Sequence, residues 1–437
     1  MTLKDTATAI TKTLIDAGHK AFFAGGCVRD ELLEKEPKDY DIATSATPEQ
    51  VLELFPHSDA IGAHFGVILV KKDGAAFEIA TFRHDGSYSD GRHPDSVSFT
   101  SPENDAMRRD FTINGLFKNP LTGEIVDFVH GKVDIEERYI RAIGKPEARF
   151  QEDALRLLRA IRFSTLLEFD IEPRTWKAIQ ENAHLLKKIS VERISGEFNK
   201  ILLSPQRATG IQLLVDSGLI RHFLPEVLDL IGCEQPPQFH PEGDVYTHTK
   251  IMLDMLQDDP SLELCLSVLL HDIGKPATYS YDQEADRIRF NGHDSLGATM
   301  ATTILKRLRY PNNCIESVSS MVANHMSFMH VQQMKKAKVK RFMARETYQD
   351  EMELHRVDCG SSNGITENYD FLRAQEEIFA NEPLIPTPLL KGKDLIDRGL
   401  KPGPQFKEIL LNLQSEQLEG SINTREEAES WLNNLLA

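Results

Sequence analysis

The spacing of apolar and polar residues changes character about a third of the way along the chain. Up to roughly residue 140, short apolar or β-branched runs alternate with turn residues and helical stretches; beyond it, nearly every segment repeats its apolar residues at helical period. Phe22–Phe23, Gly66–Val70 and Phe77–Phe82 predict strands, and Lys72-Asp73-Gly74 between the last two predicts a hairpin connection. Glu152 to Phe163 predicts a helix, with Leu155, Leu158 and Ile161 on an apolar stripe and Arg156, Arg159 and Arg162 on a cationic one. Arg83 to Pro94 is too polar to be fixed against a core and predicts a mobile loop, while Glu234–Gln238 and Glu382–Pro388 break the helical part. The expected architecture is an α+β head, a small mixed sheet with helices, followed by an all-α remainder.

At 437 residues the chain has room for two or three domains. Its longest dense apolar run, Cys265 to Leu270, is core-sized and far short of a bilayer span, so no membrane role is expected. Met1 to Lys20 scatters Asp5, Lys12, Asp16 and Lys20 among apolar residues, so no export segment can be drawn and a cytoplasmic protein is expected. The five cysteines lack paired spacing and read as free thiols. With 50 Lys and Arg against 67 Asp and Glu, the net charge of −17 argues against indiscriminate coating of nucleic acid. A polyanionic partner must be held by local positive charge, and two places offer it. One is the arginine stripe; the other is Lys335, Lys336, Lys338, Lys340 and Arg341, which reads equally as a solvated helix face and as a phosphate contact.

Gly25-Gly26 sits where an apolar run turns into a helix, a geometry that exposes backbone N–H groups to an anion. Asp39 and Asp41 lie at i, i+2 in a segment that reads as a strand, so alternation points both to one face. Two like charges side by side call for a hard divalent cation, and Mg²⁺ is expected. Glu78, an odd residue within the run Phe77–Phe82, is the candidate third carboxylate. In a two-metal site such groups lower the pKa of an attacking hydroxyl and stabilise charge on the leaving group.

Gly-Gly, Asp-x-Asp and a strand glutamate in that order resemble the nucleotidyltransferase site, and residues 22–44 resemble the opening motif of the class II tRNA nucleotidyltransferase and poly(A) polymerase family. Asn104–Leu116, with Arg108-Arg109-Asp110-Phe111-Thr112-Ile113-Asn114, resembles that family's ribose and triphosphate motif. Glu152–Arg159 resembles its base-reading motif, and Ser190–Arg193 with Glu197 its helix-stabilising one. The resemblance implies template-independent addition of C, C and A to tRNA from CTP and ATP, releasing pyrophosphate. Asp39, Asp41 and Glu78 would then be catalytic, and Gly25, Gly26, Arg29 and Arg109 would meet the triphosphate. Asp110 and Asn114 would meet the sugar, Asp153 and Arg156 the base, and Arg159 and Arg162 the phosphates or the RNA end. Asp153 and Arg156, at i, i+3 on one helix face, could read a base by polarity: an ionised Asp only accepts hydrogen bonds and Arg only donates. Gly115 stands where the family more often has Ala, which implies looser local packing. Gly62–Val67 resembles the tRNA-directed members, and Asp85–Pro94 the loop needed for the final A; an enzyme adding only A would carry the same loop.

His248, His271-Asp272, His293, His325 and Asp358 follow in the order of the HD phosphohydrolase superfamily, implying a divalent metal on the first His, the His-Asp pair and the last Asp, with His293 and His325 suited to a second ion. The expected domains are a nucleotidyltransferase head (1–140), a helical neck and body (141–232), an HD domain (233–365) and a C-terminal helical region (366–437). Two rivals stand at this point: a phosphohydrolase whose head merely binds nucleotide, and a non-catalytic RNA-binding protein. The intact Asp-x-Asp opposes the second, because paired carboxylates repel RNA.

Overall fold

The structure, a computed structural model, describes residues 2–62, 66–86, 96–362 and 364–436. Ala63–Phe65 and most of the predicted loop, Ser87–Pro94, therefore lie outside the described residues. The chain packs as two units, Met1–Leu228 and Asp229–Ala437.

The first unit carries a seven-stranded mixed sheet ordered β3-β4-β5-β2-β1-β8-β9. Its strands are β1 (Ala21–Ala24), β2 (Ile42–Thr44), β3 (Ser58–Gly62), β4 (Val67–Lys72), β5 (Ala75–Thr81), β8 (Leu116–Lys118) and β9 (Ile125–Asp127); β6 (Arg83–Asp85) pairs separately with β7 (Val97–Phe99). All three strands expected from the apolar runs are present, as β1, β4 and β5. The β4–β5 connection is the expected hairpin: Asp73 and Gly74 take φ of 51° and 79°, the double left-handed turn that matches strand twist. Phe22, Phe82 and Phe117 meet at ring separations of 5.9–6.3 Å and, with Ala24 and Ala43, fill one face of the sheet.

Two local expectations are corrected. Asp39 and Asp41 are not in a strand; β2 begins only at Ile42, and both precede it in irregular backbone, with Tyr40 buried between them. The sidedness inferred from alternation survives, because Tyr40 anchors the opposite side. Gly115 does not loosen its surroundings: a Cβ there would lie 2.6 Å from Val129 Cγ2 and 3.3 Å from Ile143 Cδ1, so neighbouring side chains already occupy that space. Gly131 is tighter still, since its Cβ would meet Thr112 O at 2.2 Å, and backbone cannot swing aside. Gly131→Ala should cost about 2–3 kcal/mol of stability, measured by denaturant titration.

After the sheet the first unit is helical, including Pro146–Glu152, Leu155–Leu167 and Val191–Leu202. The second unit is built on Val245–Met255, Leu262–Leu270, His293–Arg307, Asn312–Asn324 and Tyr348–Ser361. A two-stranded hairpin, Ser280–Asp282 with Arg287–Arg289, projects between the second and third of these. Leu390, Leu395, Ile409, Leu413 and Leu432 form a separate small core near the C-terminus. The basic run is partly structural: Lys340 pairs with Glu382 at 3.0 Å, and Arg341 bonds Ser415 Oγ at 2.9 Å and Leu411 O at 3.1 Å, while Lys335 and Lys338 stay exposed. No described helix is long and apolar enough to cross a membrane.

Candidate active site

Gly25, at φ 74°, turns β1 into the helix Gly26–Leu32, and a Cβ there would stand 3.0 Å from Arg109 Nη1. The turn opens onto a cavity of about 620 Å³ in the first unit. Gly25, Gly26, Arg29, Asp39, Asp41, Arg109, Asp110, Asn114, Asp153, Arg156, Arg159 and Arg162 all line it, so the structure brings together every expected nucleotide-site residue except Glu78. Arg108, Phe163 and Arg193 complete a wall of seven arginines facing four aspartates, the local positive charge that the overall acidity required.

The candidate catalytic carboxylates Asp39 and Asp41 line one part of the cavity. The Tyr40 ring packs 4.9 Å from Phe23 and its hydroxyl donates to Glu31 Oε1 at 3.2 Å, which fixes the backbone from which Asp39 and Asp41 project. β2 and β5 run parallel in the register Ile42↔Ile79, so Glu78 comes alongside Asp41 although it does not line the cavity. Partial burial, together with the charges of Asp39 and Glu78, pushes the Asp41 carboxyl up to about 6. Among the described residues no Lys or Arg forms an ion pair with Asp39, Asp41 or Glu78. Asp39 and Asp41, two carboxylates without an ion-pair partner on the cavity wall, are hard oxygen donors of the kind that suits a divalent cation; among the described residues their oxygens and that of Glu78 are not drawn together into one ligand group.

Opposite them, Arg29 Nη1 donates to Asn114 Oδ1 at 2.7 Å, and Arg109 pairs with Asp105 at 3.1 Å. Burial alone would raise the Asp110 carboxyl, but Arg159, at 2.5–2.8 Å, holds it well below the usual carboxylate range. Arg162 is buried rather than open to phosphate; it pairs with Glu197 at 2.9 Å and lies 4.2 Å over the Phe163 ring. Burial and the Arg159 charge push its guanidinium down to about 10.

The pair expected to read the base, Asp153 and Arg156, is also placed differently from the expectation. Helix continuity breaks at Asp153, which takes an extended backbone (φ −142°, ψ 104°) between Pro146–Glu152 and Leu155–Leu167. Asp153 and Arg156 therefore do not share one helix face. The break follows from the chemistry of Asp: Oδ1 accepts from Leu155 N at 3.0 Å, competing with the helical backbone, and Oδ2 accepts from Arg193 at 2.8 Å. Arg156 donates to Glu152 (2.6 Å), Arg149 O (3.0 Å) and Arg108 O (3.1 Å). Both still face the same cavity.

The second unit gathers the six metal-type residues into two adjoining groups, His248–His271–Asp358 and Asp272–His293–His325. His271, His293 and His325 each donate Nδ1–H to the carbonyl three residues earlier, on Val268, Phe290 and Val322, at 2.6–2.8 Å. His248 Nδ1 meets Glu242 Oε1 at 2.7 Å. The carbonyl acceptors fix the tautomers, so the Nε2 lone pairs of those three rings turn inward. His293 Nε2 and His325 Nε2 come to 3.1 Å of each other, and His271 Nε2 to 3.1 Å of Asp272 Oδ2. Two lone pairs facing each other at that distance need a cation between them. Nε2 of His248 and His271 and both Asp272 oxygens are buried without a well-formed hydrogen bond, although Lys275 Nζ stands 2.6 Å from Asp272 Oδ2. Burial alone would lower His248, but Asp358 and Glu242 push it up to about 9; burial and the His271 charge push His325 down to about 4. This donor set fits divalent metal.

Glu242, Phe163 and Arg108 were not singled out from the sequence. Phe163 alone had a signal, an aromatic residue directly after the last arginine of the cationic stripe.

The family profile of the poly A polymerase head domain matches residues 21–141, that of a probable RNA and SrmB-binding site of polymerase A matches 168–231, and that of the HD domain matches 244–357. The CCA-adding enzyme of Lactobacillus helveticus is 43% identical over 265 residues, 60% of this chain and 62% of that protein, so the match spans under two thirds of that relative. The CCA-adding enzyme of Ligilactobacillus salivarius is 33% identical over 423 residues, 95% of this chain and 92% of its own. Among solved structures, the Bacillus stearothermophilus CCA-adding enzyme in complex with CTP superposes with a TM-score of 0.77 at 28% identity, covering 99% of this chain and 98% of that one.

Proposed function

Because this chain belongs to the family of CCA-adding enzymes within the tRNA nucleotidyltransferases and poly(A) polymerases, we propose that it extends tRNA 3′ ends with C, C and A from CTP and ATP, without a nucleic-acid template. The observation that carries the reading is that one cavity holds both an unpaired carboxylate set and a polarity-matched Asp–Arg pair. On this reading the tRNA 3′-hydroxyl oxygen attacks the α-phosphorus, the bond to the bridging oxygen breaks, and pyrophosphate leaves. Mg²⁺ held by Asp39 and Asp41, with Glu78 adding field beside them, would supply the positive charge that acidifies the hydroxyl and steadies the leaving group.

The remaining work falls to the protein's own groups. Arg29 and Arg109 receive the triphosphate beside the Gly25–Gly26 amides, while Asp110 and Asn114 face the sugar. Asp153 keeps a lone pair on each oxygen after bonding Leu155 N and Arg193, and Arg156 keeps its Nε–H after its three bonds. An acceptor beside a donor matches the exocyclic amine and ring nitrogen of cytosine or adenine and repels the reversed pattern of uracil or guanine. Asp153 and Arg156 can do this from opposite sides of a helix break as well as from one helix face.

We assign the head to 1–140, the neck and body to 141–232, the HD domain to 233–365 and a helical C-terminal region to 366–437, with action in the cytoplasm, where tRNA is matured. Three transcripts lacking CCA, CA and A, each given one labelled nucleotide, test the activity. CTP should label the first two and ATP the third; labelling of the third alone would make this an A-adding enzyme, and labelling of none would overturn the assignment.

The inward-facing Nε2 atoms support a second activity, metal-dependent phosphohydrolysis in the second unit. Its substrate on this reading is a phosphate ester at a tRNA 3′ end or on a nucleotide.

A further inference from the structure

The hairpin Ser280–Asp282/Arg287–Arg289 joins two parts of the histidine–aspartate cluster: it leaves shortly after Lys275 and returns just before His293. Its register, Tyr281↔Ile288 and Ser280↔Arg289, puts Tyr279, Tyr281, Ile288 and Phe290 on one face and Ser280, Asp282, Arg287 and Arg289 on the other. On the second face Arg289 pairs with Asp282 at 2.6 Å and Ser280 Oγ donates to Arg289 O. The first is not covered: Tyr279 is 47% exposed and Tyr281 53%. The Tyr281 hydroxyl is bonded to Asp286, which steadies the phenol while leaving its ring face open.

This aromatic face is continuous with the metal-type cluster. Phe290 meets the Tyr279 ring at 5.8 Å, lies 5.4 Å from Lys275 Nζ, and supplies the carbonyl that fixes His293 Nδ1 at 2.7 Å. Exposed rings on one hairpin face, beside Lys275 and the metal-type side chains, suit a ligand with a flat π-face at one end and a phosphate ester at the other. Simple phosphate esters have no use for the rings.

We propose that Tyr279 and Tyr281 form a stacking platform for the base of a nucleotide, holding its phosphate ester at the histidine–aspartate cluster; the proposal rests on the phosphohydrolase reading of that cluster. Stacking of one base is worth about 1–3 kcal/mol, so removal of both rings weakens nucleotide binding by roughly 5- to 150-fold. The test uses the full chain with Mn²⁺, with Asp39→Asn, Asp41→Asn and Arg109→Ala in every protein so that the head cavity contributes neither nucleotide nor metal binding, and compares this parent with Tyr279→Ala/Tyr281→Ala and Tyr279→Phe/Tyr281→Phe. Binding of adenosine monophosphate, cytidine monophosphate and ribose 5-phosphate is measured by calorimetry, and bound Mn²⁺ by elemental analysis.

The alanine pair should lose nucleotide affinity while keeping ribose 5-phosphate affinity and Mn²⁺ content, and the phenylalanine pair should bind as the parent does. Unchanged nucleotide affinity, or an equal loss for ribose 5-phosphate, would overturn the platform. Absence of Mn²⁺ from the parent would instead sink the phosphohydrolase reading. In that event, nucleotide quenching of tyrosine fluorescence that vanishes in the alanine pair would still uphold the stacking.

Discussion

Asp39→Asn and Asp41→Asn should each lower incorporation of labelled CMP and AMP into tRNA by at least about a thousandfold, with nucleotide affinity changed far less. The asymmetry follows from the division of the cavity. On the proposed reading the triphosphate and base are received by arginines and by Asp153, none of which forms an ion pair with Asp39 or Asp41, so binding should survive when the reacting edge is neutralised. Neither variant should unfold the head. Asp41 is pushed up to about 6 by partial burial and by Asp39 and Glu78, so its ionised form is held against repulsion at pH 7. The sign follows: a carboxylate whose folded pKa lies above its unfolded value makes the metal-free protein less stable as pH rises through that interval. Asp41→Asn removes that penalty, and its melting temperature at pH 7 without divalent metal should equal or exceed the parent's. Full nucleotide incorporation by Asp41→Asn would dismantle the assignment of the reacting edge.

Asp272→Asn should abolish divalent-metal retention in the second unit and any phosphohydrolysis with it, while CTP and ATP incorporation continues. Asp272 is the carboxylate of the Asp272–His293–His325 group and also stands 3.1 Å from His271 Nε2, so it borders both candidate metal positions. Losing an outer support alone commonly costs 10–100-fold in metal affinity, and losing a shared inner ligand should cost at least about 100-fold. Asp272 also balances Lys275 at 2.6 Å in a buried setting, and the amide would leave that ammonium alone. Asp272→Asn/Lys275→Met removes both charges and serves as the control for folding. Retention of metal by a folded double variant would show that Asp272 is no ligand.

Most of the head was legible because its strands are short runs of Phe, Val and Ile bounded by Gly and Asp, and because the hairpin turn has its own chemistry at Asp73-Gly74. What sequence periodicity could not show is where a side chain competes with the backbone. Arg156, Arg159 and Arg162 continue one helical pattern back to Asp153, yet Asp153 spends its carboxylate on Leu155 N and ends the register there. Its partner, Arg193, is forty residues away, and no local spacing announces it. Gly115 has the same character: the methyl group it lacks leaves no empty volume, because Val129, fourteen residues on, reaches back into that space. The histidine–aspartate cluster was readable as a set of ligand types. Its orientation was not, because the carbonyls that fix the rings carry no side-chain signature.

The two ion pairs Arg193–Asp153 and Arg162–Glu197 tie the selecting segment to the helix Val191–Leu202 at points one turn apart. Residues 153–162 and that helix are thus riveted to each other at two points. A swing of Asp153 by itself would strand Arg193, and a swing of Arg162 would leave buried Glu197 with only the exposed Lys200, at 3.4 Å, to balance it. On the proposed reading, making room for a purine after a pyrimidine would call for both segments to shift together, which keeps the Asp153–Arg193 and Arg162–Glu197 pairs intact.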